Sequence, residues 1–260
     1  MLKKFVYASL SVVKHNISFA IFGLLCSFFI FFLPFVAIFC LGSKRHLVMV
    51  SQFITHKAFQ FVVWFCRATG FIDISVIYHA QQNLAPIVVC NHLSLFDIVT
   101  IFCYFPGSYT FVHRKYLKNP LLAPIIHACN YIPIDPTSIS DRMHAYAQAE
   151  EILKQGGRLV IFPEGTRSLD GKMLPFQKGA FNLASKLQLA ISPIFFTADR
   201  AFLNKNKIYD FRLDCPRLEA HIMPPIVTKE IKAQDLKHHT ELLFQEWTKS
   251  PLTLAWNKSC

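Results

Sequence analysis

The sequence predicts an α/β protein: a mixed, largely parallel sheet flanked by helices, preceded by N-terminal membrane-embedded and interfacial helices. Three observations predict it. Beyond residue 70, short β-branched runs alternate with helical patterns, the signature of a sheet that is at least partly parallel. Two of those runs, Pro86-Ile87-Val88-Val89-Cys90 and Arg158-Leu159-Val160-Ile161, are each followed at once by a polar cluster, Asn91-His92-Leu93-Ser94-Leu95-Phe96-Asp97 and Phe162-Pro163-Glu164-Gly165-Thr166-Arg167-Ser168. Residues 1 to 72, by contrast, contain no Asp or Glu at all.

A chain of 260 residues holds one ordinary α/β domain and a small appendage, and 53% hydrophobic with 17% charged residues excludes disorder. Lys3, Lys4, Lys14, Lys44, Arg45, Lys57 and Arg67 give the acid-free segment seven of the eleven net positive charges, and the remaining residues hold 20 basic and 16 acidic groups. A basic, apolar, aromatic N-terminus points to an anionic lipid surface and away from nucleic acid. From Ile17 to Gly42 the chain is almost wholly apolar. Roughly 25 helical residues at about 1.5 Å each match or slightly exceed a bilayer core of roughly 30 Å, so residues 17–42 are expected to be membrane-embedded. A signal peptide fits poorly, because the apolar region is too long and no small-residue cleavage site ends it. Basic residues flank both ends and Pro34 interrupts the middle, which leaves open a simple span and a helix bent at Pro34 with both ends on the cytoplasmic side.

Residues 47–67 differ. Gln52, His56 and Gln60 recur at four-residue spacing, while Phe53, Phe59, Phe61, Val62, Trp64 and Phe65 occupy much of the rest. The pattern predicts an amphipathic interfacial helix, with a core helix as the alternative. Gly70 marks the boundary between a membrane-anchoring segment, 1–69, and a domain over 70–260. In that domain strands are predicted at Ile72 to Tyr78, Ile87 to Cys90, Tyr109 to Val112, Tyr131 to Ile134, Leu159 to Phe162, Ile191 to Phe196 and Leu218 to Met223. Helices are predicted at Ser94 to Tyr104, Pro120 to Cys129, Ile139 to Lys154 and Gly179 to Leu187, with a closing helix from Lys229 to Ser250. The Ile139 helix presents Ile139, Met143, Tyr146, Ala149 and Leu153 on one face and ends at Gly156-Gly157, as a helix C-terminus does.

The chemistry lies in the two clusters. A neutral imidazole beside a carboxylate is suited to taking a proton from a hydroxyl near neutral pH, and an arginine on a glycine-bearing turn is suited to holding an anion. Residues five apart on a regular helix differ by about 140° around the axis, so His92 and Asp97 can meet only across a bend. If the strand ends at Cys90 and the helix begins near Ser94, Asp97 reaches back to Nδ1 and leaves Nε2 as the base. A purely structural reading competes, since Ser94 with an acidic group three residues on is also a helix cap. Gly165-Thr166-Arg167-Ser168 by itself is a solvated turn more readily than an anion site. The eight cysteines form no CxxC pair and no zinc-type spacing, and His221 and His238-His239 lack accompanying ligands, so no metal is expected. Cys90, inside an apolar strand, reads as a core thiol before it reads as a nucleophile.

Taken together, NHxxxxD and FPEGTRS, about 70 residues apart, resemble the glycerolipid acyltransferases, the 1-acylglycerol-3-phosphate acyltransferases in particular. The resemblance runs from about residue 72 to 200. It includes Phe111-Val112-His113-Arg114-Lys115-Tyr116-Leu117-Lys118-Asn119-Pro120, Phe176-Gln177-Lys178-Gly179-Ala180 and Ile191-Ser192-Pro193-Ile194. It implies that His92, assisted by Asp97, deprotonates the sn-2 hydroxyl of a lysophospholipid, which attacks the thioester of acyl-CoA or acyl-carrier protein directly. Arg167, with Arg114 or Lys115, would hold the acceptor phosphate, and Glu164, Gly165 and Thr166 would shape the acceptor site. No cofactor is implied beyond the acyl donor as co-substrate. The partners implied are membrane lipid, the lysophospholipid and the donor, and the place is the inner (cytoplasmic) membrane with the domain facing the cytoplasm. Two positions depart from the family pattern: Pro136 follows Ile134-Asp135 where an arginine is usual, and Asn130 stands where a glycine is usual. These bear on the acceptor headgroup, so a lyso-ornithine lipid or another lysophospholipid is an alternative acceptor. A lipid esterase or thioesterase is a further alternative, but the chain has no GxSxG. A lipid-binding protein without activity is the third.

Overall fold

A computed structural model describes residues 2–40, 42–79, 84–168, 173–199, 203 and 215–249. These residues form seven helices and seven strands besides one 3-10 turn, and they divide into two compact units that interleave in sequence. One unit is built mainly from Met1–Phe71 and Ile98–Gly157, the other from Ile72–Asp97, Arg158–Ile208 and Pro216–Cys260. The compositional boundary near residue 70 therefore coincides with one of several crossings between units. What it marks is the end of the acid-free segment.

The second unit carries a five-stranded sheet of β1 (Asp73–Tyr78), β2 (Ile87–Cys90), β5 (Arg158–Ile161), β6 (Ile191–Ala198) and β7 (Arg217–Ile222), in the order β1-β7-β6-β2-β5. Three of its four ladders are parallel, and only β6 with β7 runs antiparallel. The sheet is thus mixed and largely parallel, and residue chemistry explains its order. All four residues of β2 are buried, as are the last three of β5, which suits apolar runs with neighbours or helices on every side. At the edge, β1 alternates more openly and pairs with β7 alone. Helix α6 (Gly179–Leu187) packs on β2 and against the closing helix α7 (Ala233–Lys249). Phe181, Phe196 and Phe244 from these elements are almost wholly buried. The closing helix starts four residues later than predicted, after the turn at Thr228 to Ile231, and Ser250 lies outside the described residues.

The first unit begins with α1 (Leu2–Phe39) and α2 (Lys44–Ala68), which pack on each other as a hairpin. Helix α1 continues through Pro34, and the chain reverses at Gly42, whose φ of 74° is open to glycine. Phe19–Phe39 is long and apolar enough to cross a membrane. The N-terminus of α2 is capped by Ser43, which accepts from the His46 amide. The unit continues with α3 (Phe96–Tyr104, from Ile98 onward), β3 (Ser108–His113), the 3-10 turn Arg114–Lys118, α4 (Ala123–Ala128), β4 (Ile132–Ile134) and α5 (Ile139–Lys154). The 3-10 turn was not expected from the sequence. Asn130 takes the left-handed conformation, φ 54°, at the end of α4, which explains why an asparagine serves where a glycine is usual: its short polar side chain tolerates that region better than most.

Helix α2 is amphipathic, yet turned in an unexpected sense. Its polar stripe faces the protein: Ser51, Gln52, Thr55 and His56 are buried, whereas Met49, Phe53, Phe61 and Trp64 are exposed, Trp64 to 62%. Burial of Gln52, Thr55 and His56 is offset by hydrogen bonds to backbone, whereas the Ser51 hydroxyl has no partner among the described residues. Gln52 Nε2 donates to the Cys129 carbonyl at 3.0 Å, His56 Nδ1 to the Phe102 carbonyl at 2.9 Å, and Thr55 Oγ1 to the Ser51 carbonyl at 2.8 Å. Phe59, between the two faces, stacks on Phe102.

Candidate active site

Parallel register brings the two clusters together. With Val89 opposite Ile161, the residues that follow β2 and β5 emerge side by side at the carboxyl ends of adjacent strands, where open α/β sheets place their sites. His92 donates its backbone N–H to Glu164 Oε1 at 2.8 Å and accepts from the Ser168 N–H at 2.8 Å. Its ring stacks on Phe162, with centroids 4.2 Å apart. Asn91, 2% exposed, fixes the end of β2 from the other side. Its amide Nδ2 donates to the Phe196 carbonyl at 2.9 Å and its Oδ1 accepts from the Phe196 N–H at 2.6 Å, so that the side chain prolongs the ladder where the backbone turns away.

The bend required for His92 to meet Asp97 is present. His92 Nδ1 lies 2.9 Å from Asp97 Oδ2. The same Oδ2 accepts from the backbone N–H groups of Leu93 at 2.6 Å and Ser94 at 2.8 Å, and Oδ1 accepts from Ser94 Oγ at 3.0 Å. Ser94 Oγ in turn accepts from the Phe96 N–H at 3.1 Å. The capping and dyad readings are therefore one arrangement: Ser94 and Asp97 form a reciprocal cap at the start of α3, and the spare capacity of the same carboxylate orients the imidazole. A fully buried carboxylate offers His92 only an acceptor, so Nδ1 carries the proton and the lone pair sits on Nε2. The His92 side chain is 19% exposed and that of Asp97 not at all, so the imidazole is partly open to solvent while the carboxylate that orients it is not.

Glu164 is held differently. Its Oε1 takes the His92 N–H and its Oε2 the Leu174 N–H at 2.8 Å. Burial raises its pKa from 4.5 to about 7, against the two backbone donors that lower it. Both oxygens are thus committed to shaping the loop. Gly165 has φ 70°, a conformation that L side chains rarely adopt. Thr166 is half-buried beside it. The loop is closed by Gln177 N–H to the Pro163 carbonyl at 2.8 Å, and α7 braces it through Phe176 N–H to Glu241 Oε1 at 2.7 Å. Arg167 directs Nη1 to the Leu203 carbonyl at 2.8 Å. Its other nitrogens have no partner among the described residues.

Arg114 and Lys115 belong to the first unit, where they open the 3-10 turn. Arg114 is exposed and paired with Asp141, which also accepts from the Asp135 N–H. Lys115 is exposed, with Nζ 5.3 Å from the Tyr116 ring centroid. Cys90 is completely buried, and burial followed by the charge of Asp97 pushes its thiol well above the ordinary range, so it serves as core. The sequence reading passed over Asn91, Leu174, Leu203 and Glu241. Asn91 could have been noticed as an amide at a strand end, but the other three carry no local signal.

A histidine–aspartate dyad and an arginine-bearing loop, side by side at the carboxyl ends of parallel strands, define a class. Residues 75–197, a little under half of the chain, match the Acyltransferase family model. Within that class the chain is similar to 1-acyl-sn-glycerol-3-phosphate acyltransferase of the coconut palm, Cocos nucifera, at 30% identity over 62% of this chain and 52% of that protein. It is equally similar to 1-acyl-sn-glycerol-3-phosphate acyltransferase alpha of the sheep, Ovis aries, at 30% identity over 64% and 57%. The chain spans little more than half the length of these relatives. The crystal structure of the 1-acyl-sn-glycerophosphate acyltransferase PlsC from Thermotoga maritima shares the fold, with a TM-score of 0.59 and 22% identity over 87% of this chain and 95% of that one.

Proposed function

We propose that this protein transfers a fatty acyl group from a thioester donor, acyl-CoA or acyl-carrier protein, to the sn-2 hydroxyl of lysophosphatidic acid, forming phosphatidic acid. The observation that carries the reading is the His92 imidazole, its Nδ1 held by the buried Asp97 and its side chain 19% exposed. Nε2 takes the hydroxyl proton as the acceptor oxygen attacks the thioester carbonyl, giving a tetrahedral adduct and an imidazolium stabilised by Asp97. Collapse of the adduct breaks the C–S bond, and the thiolate leaves with the proton returned from Nε2. The step needs no enzyme nucleophile and no cofactor, in keeping with the inert burial of Cys90 and with a Ser94 hydroxyl already occupied by Asp97 and the Phe96 amide.

Arg167, on the same loop as the groups that hold His92, is the residue suited to the acceptor phosphate. A charge-assisted hydrogen bond of this kind contributes roughly 1.5–3 kcal/mol. Arg114 has to exchange Asp141 for such a role, and Lys115 is the freer of the two. Membrane association is the setting we infer, with the domain on the cytoplasmic side of the inner membrane. It rests on the apolar Phe19–Phe39 segment and on the outward Met49, Phe53, Phe61 and Trp64 of α2.

The test is direct. Full-length protein in detergent, supplied with lysophosphatidic acid and either donor, is expected to yield phosphatidic acid, and His92→Ala is expected to lower turnover by about 10²–10⁴-fold. Product with neither donor removes the reading, and activity with a lyso-ornithine lipid but not lysophosphatidic acid moves it to the alternative acceptor.

A further inference from the structure

Leu203 stands out among the residues that no motif contains. It is 3% exposed and adopts φ 49°, the left-handed region that an L-leucine occupies only at a cost in free energy. A strained residue of this kind persists where its surroundings over-determine it. Here the surroundings are two donors on one carbonyl. The Leu203 oxygen accepts from the Leu95 N–H at 3.1 Å, within the NHLSLFD turn, and from Arg167 Nη1 at 2.8 Å, within the FPEGTRS loop. Both lone pairs of that oxygen are in use, and each is spent on a different half of the site.

The left-handed conformation is what aims the carbonyl at both partners. Returning Leu203 to an ordinary φ rotates its peptide planes, while the buried side chain keeps the residue anchored. We propose that Leu203 is a positioning residue: its main-chain carbonyl clips Arg167 to the turn that bears the base, and thereby fixes the guanidinium at the distance from His92 that separates the phosphate of the acceptor from its reacting hydroxyl. The proposal rests on the reading of Arg167 as the phosphate-binding arginine. A guanidinium tethered through one nitrogen is pre-organised, and its remaining donors meet the headgroup with less ordering to pay at binding.

A double-mutant cycle tests this in the full-length protein in detergent, with lysophosphatidic acid and whichever donor supports turnover. Leu203→Val stays apolar but resists the left-handed region, and it is expected to raise the acceptor KM about tenfold, with the donor KM and kcat within about threefold of the parent. Leu203→Asn, whose side chain tolerates that region, is expected to restore the acceptor KM to within about threefold. In the Arg167→Ala background Leu203→Val is expected to add less than about twofold, because the group it positions is gone. Should Leu203→Val not be recovered folded, an ester in place of the Leu203–Asn204 amide weakens the carbonyl as an acceptor, leaves every side chain unchanged and carries the same cycle. Equal increases in donor and acceptor KM, or a full multiplicative effect on top of Arg167→Ala, overturn the clip. An unchanged acceptor KM for Arg167→Ala alone overturns the phosphate reading beneath it, so the two failures are told apart.

Discussion

The turn that bears His92 and the loop that bears Arg167 lie side by side, yet they are held by opposite means. Within the turn, Asp97 collects four hydrogen bonds from donors no more than five residues away. The loop is braced from a distance: by Leu203, 36 residues from Arg167, and by Glu241, 65 residues from Phe176. The turn satisfies most of its side-chain donors and acceptors locally, and takes from outside only backbone contacts with Glu164, Ser168 and Leu203. A loop that meets a ligand with its side chains has few of its own groups left, so its shape is imposed by the rest of the unit.

The largest effect is expected inside the turn. Asp97→Asn keeps the volume but presents an amide where one carboxylate oxygen accepts three hydrogens, so kcat should fall by about 10²–10⁴-fold, with the acceptor KM nearly unchanged. Steady-state kinetics decides it, and a loss confined to KM breaks the idea that the turn serves the chemistry while the loop serves binding.

Glu164 joins the two regions and gives an intermediate effect. Its folded pKa of about 7 lies above the ordinary 4.5, so the folded state holds its proton more tightly than the unfolded chain. The resulting stabilisation is fully present below pH 4.5 and is lost as pH rises through 7, a change of about 3 kcal/mol in all. His221, lowered to about 4 by burial and then by His79, acts with the opposite sign, its contribution being lost as pH falls from 6.5 through 4. The informative quantity is therefore the difference between parent and Glu164→Gln in urea unfolding at pH 5 and pH 8. The parent should lose about 2 kcal/mol more than the variant over that interval, and parallel profiles would remove the buried carboxylate from the account.

The smallest effect is expected from Ser94→Ala. The hydroxyl caps α3 and supplies one of four donors to Asp97, so stability should fall by about 1 kcal/mol and kcat by less than about tenfold. Thermal unfolding and turnover measured on the same sample separate the two. A loss as large as that of Asp97→Asn would mean that the turn depends on a single donor and is not self-sufficient.

Much of this was legible in the residues. Strand and helix positions beyond residue 70 follow from β-branched runs and periodicity, and α5 and α6 begin and end where predicted. The dyad was legible because its partners are five residues apart and a bend at Ser94 is enough to join them. The like placement of the two clusters after strands is visible in the sequence, and the parallel pairing of β2 with β5 brings them together.

Other features have no trace in a window of sequence. Periodicity identified α2 as amphipathic, but not which face turns inward, because that depends on the carbonyls of Phe102 and Cys129, 46 and 77 residues away. Arg114 looked as free to bind an anion as Arg167 until Asp141, 27 residues on, was found against it. The sequence by itself determined the local elements, the dyad and the acid-free apolar segment, since each is written in neighbouring residues or in composition. Only the tertiary structure decided the inward polar face of α2, the pairing of Arg114 and the Leu203 carbonyl between turn and loop. A hydrogen bond between distant residues depends on strand register and backbone dihedrals that no single stretch of chain specifies.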